Sequence, residues 1–187
     1  MPTLVRLEAR LLPKSLTLIK LKLKVPRLGC GNPLAFTMQH QSQNQWCWSA
    51  VAVSVNRYYH PGSSWTQCTL VNNALGQTTC CVSGGSSACN QPWYLDRALS
   101  IVGNLNTWGS GKASFASVQG EINNCRPLGL RIGWNGGGGH FVAVYGYAGA
   151  NINIGDPWYG NSVQPYSTFP SGYNGGGTWT HSYYTKA

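Results

Sequence analysis

The sequence predicts an α+β domain with a cleft between two lobes, and two features of the chain indicate it. The first half carries segments with apolar residues at helical spacing, whereas the second half, from Leu128, alternates short apolar strands with glycine-rich turns. Segregation of helices from strands is typical of an α+β fold rather than of repeated βαβ units. A length of 187 residues suits one such domain, and the eight Trp and ten Tyr supply a core despite 24 glycines.

The first predicted helix begins at Cys47 and ends at Tyr59. Most residues between them are small or apolar and no glycine or proline interrupts them, so the helix is expected to be buried. A cysteine in the first turn faces unpaired backbone N–H groups and the positive end of the helix dipole, which favour the nucleophilic thiolate. The alternative for Cys47, taken alone, is a core cysteine or one half of a disulfide.

Two further helices and four strands are predicted downstream. A helix over 93–102 ends at Gly103, and another over 115–124 has Ser114 as its N-cap and stops before Pro127. The glycines of TWGSGK, between these two helices, predict a loop. The predicted strands are LGLRIGW (128–134), HFVAVYGY (140–147), NINIGD (151–156) and TWTHSYYT (178–185).

Seven cysteines, an odd number, indicate disulfides together with one free thiol. Four of them lie between Cys68 and Cys89 in Gly/Ser/Thr-rich surroundings, which predicts a loop region held by disulfides. A zinc site is the weaker alternative, because no CxxC spacing occurs and no histidine lies within this cluster. Disulfides imply an oxidising compartment and therefore export. Cys47 is the expected free thiol, while the pairing of the other six stays open.

The positive charge is concentrated at the start of the chain. Residues 1–37 hold seven Lys and Arg against Glu8, a net charge of +6, and residues 38–187 hold six against three acids, a net charge of +3. We therefore expect a basic leader over 1–37, which is a remnant of a pro-segment, the product of an upstream start or a disordered arm, followed by one domain over 38–187. The body does not interleave basic and aromatic residues, so no nucleic-acid partner is expected. The leader lacks the uninterrupted apolar run of a secretory signal and is too charged to span a membrane.

His140 and Asp156 are the strongest candidates for an acid–base pair. His140 opens a predicted strand directly after four glycines, and Asp156 closes the next strand. Adjacent antiparallel strands can bring the two side chains together, as the orientation of an imidazole requires. The alternatives are a turn-capping aspartate and a strand-end histidine with a local hydrogen bond, and His40 is a distant alternative base.

Three motifs in this order resemble papain-like cysteine peptidases. They are Cys47-Trp48 with Gln41 upstream, GGGGHF around His140, and Asp156-Pro157-Trp158. The pattern is most similar to a compact bacterial branch typified by staphopains and avirulence-effector proteases, and it runs from Gln41 to about Thr185. Gln45 stands where that branch usually has Asn, and Cys125-Arg126-Pro127 replaces Gly-Arg-Pro; neither departure touches a catalytic position.

The resemblance implies a papain-like two-lobed fold and a role for each site residue. Cys47 would be the nucleophile, His140 the general base and acid, and Asp156 the residue that orients the imidazole. Gln41 would supply an oxyanion-hole donor together with the backbone N–H of Cys47. Trp158 would shield the His140–Asp156 hydrogen bond from water, with a core tryptophan as the alternative. Trp46 and Trp48 are expected to be packing residues.

The predicted function is a secreted thiol endopeptidase that acts on protein or peptide substrates through Cys47, His140, Asp156 and Gln41. No cofactor or metal is expected, and a monomer is the expected state. One alternative is another thiol enzyme with the same triad: a cell-wall amidase-endopeptidase, a leader-processing peptidase or a transglutaminase-like acyltransferase. The other alternative is a non-catalytic module that binds glycan or protein through the aromatic, glycine-rich C-terminal third.

Overall fold

The structure, a computed structural model, describes residues 29–187, which form four helices and six strands. The helices are α1 (Cys47–Tyr59), α2 (Gln67–Leu75), α3 (Leu95–Ile101) and α4 (Phe115–Asn123). The strands are β1 (Leu105–Ser110), β2 (Leu128–Trp134), β3 (Gly139–Ala148), β4 (Asn151–Asp156), β5 (Gly160–Pro165) and β6 (Gly177–Thr185). Among these residues no helix has the length and apolar character needed to cross a membrane.

All six strands form one antiparallel sheet in the order β1-β6-β2-β3-β4-β5. The last strand, β6, lies between β1 and β2 and pairs with both, so the C-terminal segment is an inner strand of the sheet. The three N-terminal helices pack together, and α1 also packs on β3. This arrangement confirms the predicted α+β class and sets the start of α1 beside the start of β3.

Helix α1 is the buried centre of the molecule. It begins at Cys47 as predicted, and its residues from Cys47 to Asn56 are all buried. Because α2, α3 and β3 all contact it, no side is left for solvent until its last turn, where Arg57 is exposed. The run of alanine and valine along it is therefore explained by contacts on every side.

The predicted strands match β2, β3, β4 and β6 to within one residue at each end, whereas three elements were missed. Helix α2 lies in the cysteine-rich segment, where Thr66 forms a capping box and Gly76 ends the helix in the left-handed conformation. Strands β1 and β5 are the two edges of the sheet and are mostly exposed and polar. The prediction of a loop over TWGSGK is therefore wrong for most of that segment. Its residues Trp108 and Gly109 belong to β1 and pair with β6.

Three disulfides join six of the seven cysteines: Cys30–Cys125, Cys68–Cys81 and Cys80–Cys89. The four clustered cysteines pair among themselves, as the prediction of a disulfide-held region requires, and they are not metal ligands. Cys47 is the free thiol, as predicted. The sequence left the pairing of these six cysteines open. In the structure two bridges close short loops, with separations of 13 and 9 residues, and the third joins residues 95 apart.

The predicted start of the domain at residue 38 needs correction. Leu34 and Phe36 are buried in the core, and the Leu34 N–H donates to the carbonyl of Tyr145 at 2.8 Å. The Cys30–Cys125 disulfide ties this segment to Cys125, two residues past the end of α4. The packed domain therefore includes residues 29–37, while the rest of the proposed leader, 1–28, lies outside the described residues.

Candidate active site

Cys47 is the first residue of α1 and lies at the wall of a cleft. Its side chain is 8% exposed and lines a cavity of about 610 Å³. The two tryptophans that flank it are buried, as predicted: Trp46 donates its indole N–H to the Cys89 carbonyl at 2.9 Å, and Trp48 donates to the Gln91 carbonyl at 3.0 Å. These bonds fasten the start of the helix to the disulfide-held segment, so the thiol is held in one position.

His140 and Asp156 meet across the neighbouring strands β3 and β4, as the hairpin prediction requires. The His140 Nε2 atom lies 2.8 Å from Asp156 Oδ1, and both side chains are buried. Since an ionised carboxylate can only accept, Nε2 carries the hydrogen and Nδ1 is the ring nitrogen left for another partner. The Cys47 side chain is near enough to the imidazole to contribute to the raised pKa of His140.

Asp156 accepts four hydrogen bonds in all. Its Oδ1 also accepts from the backbone N–H groups of Trp158 at 2.7 Å and Tyr159 at 2.9 Å. Its Oδ2 accepts from the Tyr173 hydroxyl at 2.9 Å. The two readings that the sequence left open, a turn cap and a histidine partner, are therefore both correct for the same carboxylate.

The ionisation of the pair follows from these contacts. Burial by itself lowers the pKa of His140, but the hydrogen bond to Asp156 and the nearby Cys47 outweigh it and raise that pKa from 6.5 to about 9. Burial raises the pKa of Asp156, yet the hydrogen bond and charge of His140 and the two backbone N–H groups together bring it below its usual value. At neutral pH the two groups form an imidazolium–carboxylate ion pair.

Aromatic rings cover this ion pair. Trp134 stacks on the His140 ring at a centroid distance of 5.9 Å, and Tyr159 contacts it edge-on at 6.1 Å. Trp158 is not a core tryptophan: it is 46% exposed and stacks on His40 at 5.7 Å, and it lines a second cavity together with His140. Its shielding of the His140–Asp156 hydrogen bond stays a prediction, while Trp134 and Tyr159 are the rings that contact His140.

Trp134, Tyr159 and Tyr173 were not singled out by the sequence analysis. Trp134 ends a predicted strand shortly before the glycine run. If the two predicted strands on either side of that run had been paired as a hairpin, Trp134 would have been placed beside His140. Tyr173 lies in a long segment between β5 and β6 and has no local pattern that points to Asp156. Only the closed tertiary structure brings that hydroxyl to the carboxylate.

Gln41 lies on the His140 side of the cleft. It is buried, its backbone N–H donates to the Pro157 carbonyl at 2.9 Å, and its Nε2 donates to the Gln43 carbonyl at 2.8 Å. It lines a second cavity of about 340 Å³ together with His140. His40 is exposed beside Trp158, and His140 is the histidine that holds a carboxylate partner.

A thiol at the start of a buried helix, with a carboxylate-bound imidazole on an antiparallel sheet beside it, defines the class: a papain-like cysteine peptidase, which is a hydrolase. No group of three or more metal-ligating side chains occurs within residues 29–187. The chain belongs to the family of the papain-like cysteine protease AvrRpt2, whose model matches residues 31–173. No curated protein matches the chain.

Solved structures that are similar to this chain include two peptidases and an avirulence protein. The peptidase domain of Streptococcus ComA, a bifunctional ABC transporter involved in quorum sensing, has 19% identity and a TM-score of 0.53, over 81% of this chain and 99% of that one. A double-glycine-motif protease of an AMS/PCAT transporter, solved with its leader peptide, has 20% identity and a TM-score of 0.47, over 84% and 95%. The Pseudomonas avirulence protein AvrPphB has 13% identity and a TM-score of 0.41, over 81% and 98%.

Proposed function

We propose that this chain is a secreted thiol endopeptidase that cleaves peptide bonds with Cys47 as nucleophile, His140 as general base and acid, and Asp156 as the residue that orients the imidazole. The observation that carries the proposal is the buried His140–Asp156 ion pair at 2.8 Å beside the free thiol of Cys47. No other histidine in the described part of the chain pairs with a carboxylate.

The ionisation of the pair supports the first chemical step. An imidazolium next to Cys47 stabilises a thiolate, which attacks the carbonyl carbon of the scissile peptide bond. The tetrahedral intermediate then collapses as the C–N bond breaks and the Nδ1 proton of His140 passes to the leaving amine. This leaves a thioester between Cys47 and the substrate's acyl group, with His140 neutral.

Hydrolysis of the thioester returns the enzyme to its starting state. Water enters the cleft, gives a proton to Nδ1 of His140, and attacks the thioester carbonyl. The second intermediate expels the Cys47 thiolate and releases the carboxylic acid product, so the imidazolium and the thiolate are both regenerated. Throughout both steps the Nε2 hydrogen bond to Asp156 holds the ring with Nδ1 toward the sulfur.

Gln41 and the backbone of Cys47 would stabilise the oxyanion. The Cys47 N–H belongs to the first turn of α1, where the helix leaves donors unpaired. The Gln41 amide uses one hydrogen on the Gln43 carbonyl, so its second hydrogen is left for a developing negative charge in the cavity that it shares with His140. Donors placed this way lower the barrier because the charge exists only in the transition state.

Secretion and a polypeptide substrate complete the proposal. Three disulfides are compatible with an oxidising, extracellular environment. The family and the peptidase fold support a peptide substrate, and a cavity of about 610 Å³ lies beside Cys47.

The test separates the peptidase from its alternatives. The unreduced protein is incubated with an epoxide inhibitor of thiol peptidases, and mass spectrometry locates the adduct; we expect one label on Cys47 and three intact disulfides. Parallel incubations with casein and with purified peptidoglycan then compare the natural chain with Cys47→Ala. Cleavage of casein that depends on Cys47 supports the endopeptidase, whereas cleavage confined to peptidoglycan, or no labelling at all, rejects it.

A further inference from the structure

The cleft beside Cys47 has an aromatic wall with charged groups set into it. Its charged lining residues are Asp96 and Arg97 at the start of α3 and Arg131 on β2. Its aromatic lining residues are Trp48, Trp93, Tyr94, Trp108, Phe141 and Tyr183. An aromatic cleft with a few placed charges selects ligands by charge as well as by shape.

Arg131 is built into this cleft by the sheet. It lies opposite Phe141 on β3 and opposite His181 on β6, so the three residues share the face of the sheet that lines the cavity. Its guanidinium donates to the Thr180 hydroxyl at 3.2 Å and to the Gly138 carbonyl at 3.4 Å. These bonds hold the charged end of a half-buried side chain in place.

Gly139, the residue before His140, makes room for that guanidinium. A Cβ atom at Gly139 would come within 2.4 Å of Arg131 Nη2 and 2.6 Å of Cζ. Any other residue would therefore push the arginine away from the cleft. The last glycine of the GGGGH run therefore leaves room for the guanidinium in its present position, in addition to its part in the turn before His140.

The charge of Arg131 is not neutralised within the described residues. No carboxylate lies within 4.0 Å of it: Glu121 pairs with Arg126, Asp156 pairs with His140, and Asp96 lines the same cleft but lies beyond this distance. Arg97, the other arginine of the lining, is exposed and lies over the rings of Trp93 and Tyr94. A fixed, partly desolvated guanidinium without a partner binds a carboxylate more strongly than an exposed one.

We infer that this cleft binds an acidic side chain of the polypeptide substrate next to the scissile bond, and that Arg131 is the residue that determines this specificity. The inference rests on the proposed peptidase function. Asp96 lines the same cleft, is partly buried like Arg131, and opposes it with one negative charge. With Arg97 and Arg131 together in the lining, the net charge of these three residues is still +1, which favours an acidic side chain. The two roles can be separated by changing each residue in turn.

The experiment uses matched fluorogenic peptides that carry Glu or the isosteric Gln at each position flanking the cleaved bond. With the natural chain we expect one position at which kcat/KM is about tenfold or more higher for Glu, the size of effect expected of a charge-assisted hydrogen bond. In Arg131→Met the Glu-to-Gln ratio at that position should fall to about 1. A ratio near 1 at every position in the natural chain overturns the inference.

Two further variants keep the test decisive. Arg57→Met removes an exposed arginine at the far end of α1 and should leave the ratio unchanged. Asp96→Asn removes the opposing charge and should raise the Glu preference severalfold; an unchanged or lower ratio counts against the inference even if Arg131→Met fails to fold. If Gln peptides are cleaved in a Cys47-dependent way without any Glu preference, only this inference fails; if no peptide is cleaved, the proposed function fails with it.

Discussion

The two sides of the cleft are stabilised by different interactions. The Cys47 side consists of a helix that is buried from Cys47 to Asn56, two anchored tryptophans and a segment held by the Cys68–Cys81 and Cys80–Cys89 disulfides. The His140 side consists of two strand ends joined by an ion pair that is buried under aromatic rings. The first side depends on packing and covalent bonds, whereas the second depends on the protonation state and hydrogen bonds of a few atoms.

We therefore expect the helix side to contribute mainly to the stability of the fold and the sheet side to contribute mainly to catalysis. A conservative change on the helix side should reduce the free energy of unfolding with little effect on the ion pair. A conservative change on the sheet side should alter turnover and its pH dependence, because each hydrogen bond there positions a reacting group. The following predictions test this contrast, from the largest expected effect to the smallest.

The largest effect should come from removing the reacting groups themselves. Cys47→Ala and His140→Ala should each reduce kcat by about 10³-fold or more, and the double variant should be no worse, because the two residues act as one unit. Both variants should keep a cooperative thermal transition. A Cys47→Ala variant that keeps more than about a tenth of the natural turnover would remove Cys47 from the mechanism.

Asp156 is the next most sensitive position, and its two variants should differ. Asp156→Asn keeps an oxygen that can accept from His140 and should lower kcat by no more than about tenfold, or 1.4 kcal/mol. Asp156→Ala frees the ring and should lower kcat by about 10²-fold. It also leaves the Tyr173 hydroxyl and two backbone N–H groups unpaired, so its melting temperature should fall as well. If turnover per folded molecule were normal in Asp156→Ala, Asp156 would cap the turn without orienting His140.

The free energy of unfolding should depend on pH through His140. Its folded pKa of about 9 exceeds the usual 6.5, so its stabilisation is fully present below pH 6.5 and is lost as the pH rises through 9. The loss should amount to at most about 3 kcal/mol. Asp156 has a lowered pKa, so its contribution is lost in the opposite direction, as the pH falls through that pKa.

Urea unfolding at pH 6 and above pH 9 measures the His140 effect. The measurement is made in a Cys47→Ala background, because a free thiol would exchange with the disulfides at high pH. In this background the pKa of His140 is still raised by Asp156, although no longer by Cys47. The matched control is His140→Gln in the same background, whose free energy of unfolding should change much less over this range. Equal changes in the two proteins would mean that the His140 pKa is not raised by folding.

The disulfide beside Trp46 should affect stability more than chemistry. Replacing both Cys80 and Cys89 by Ala removes a bridge between residues nine apart, which should cost about 2–4 kcal/mol of unfolding free energy. Because the bridge is remote from His140, the acid and alkaline limbs of the pH–rate profile should stay where they are. A displaced profile would show that the two sides of the cleft are not independent.

The smallest effect should come from the Tyr173 hydroxyl. Tyr173→Phe removes one of the four hydrogen bonds to Asp156 and should lower kcat several-fold, about 1 kcal/mol of barrier, with KM little changed. Tyr159→Phe is the matched control, because Tyr159 contributes its backbone N–H and the edge of its ring rather than its hydroxyl. If both variants behave alike, the Tyr173 hydroxyl does not position Asp156.

Local pattern alone was enough to predict the elements that carry the site. The uninterrupted run after Cys47 specifies a buried helix, and the period-two segments at His140 and Asp156 specify adjacent strands, because both signals depend on neighbours within a few residues. The odd cysteine count likewise singled out Cys47 as the free thiol. The edge strand β1 was missed because an exposed edge needs no apolar alternation, and its pairing with β6 joins distant parts of the chain.

Tertiary structure alone decided which distant groups complete the site. The Tyr173 hydroxyl, from the segment before β6, reaches Asp156 at the end of β4. The Arg131 guanidinium on β2 is held by the Thr180 hydroxyl of β6, a strand almost fifty residues further along the chain. The pairing of Cys30 with Cys125 likewise joins residues 95 apart in sequence. Contacts between residues far apart in sequence produce no periodic pattern. The local sequence around each residue is compatible with many partners, so it does not specify which one is used.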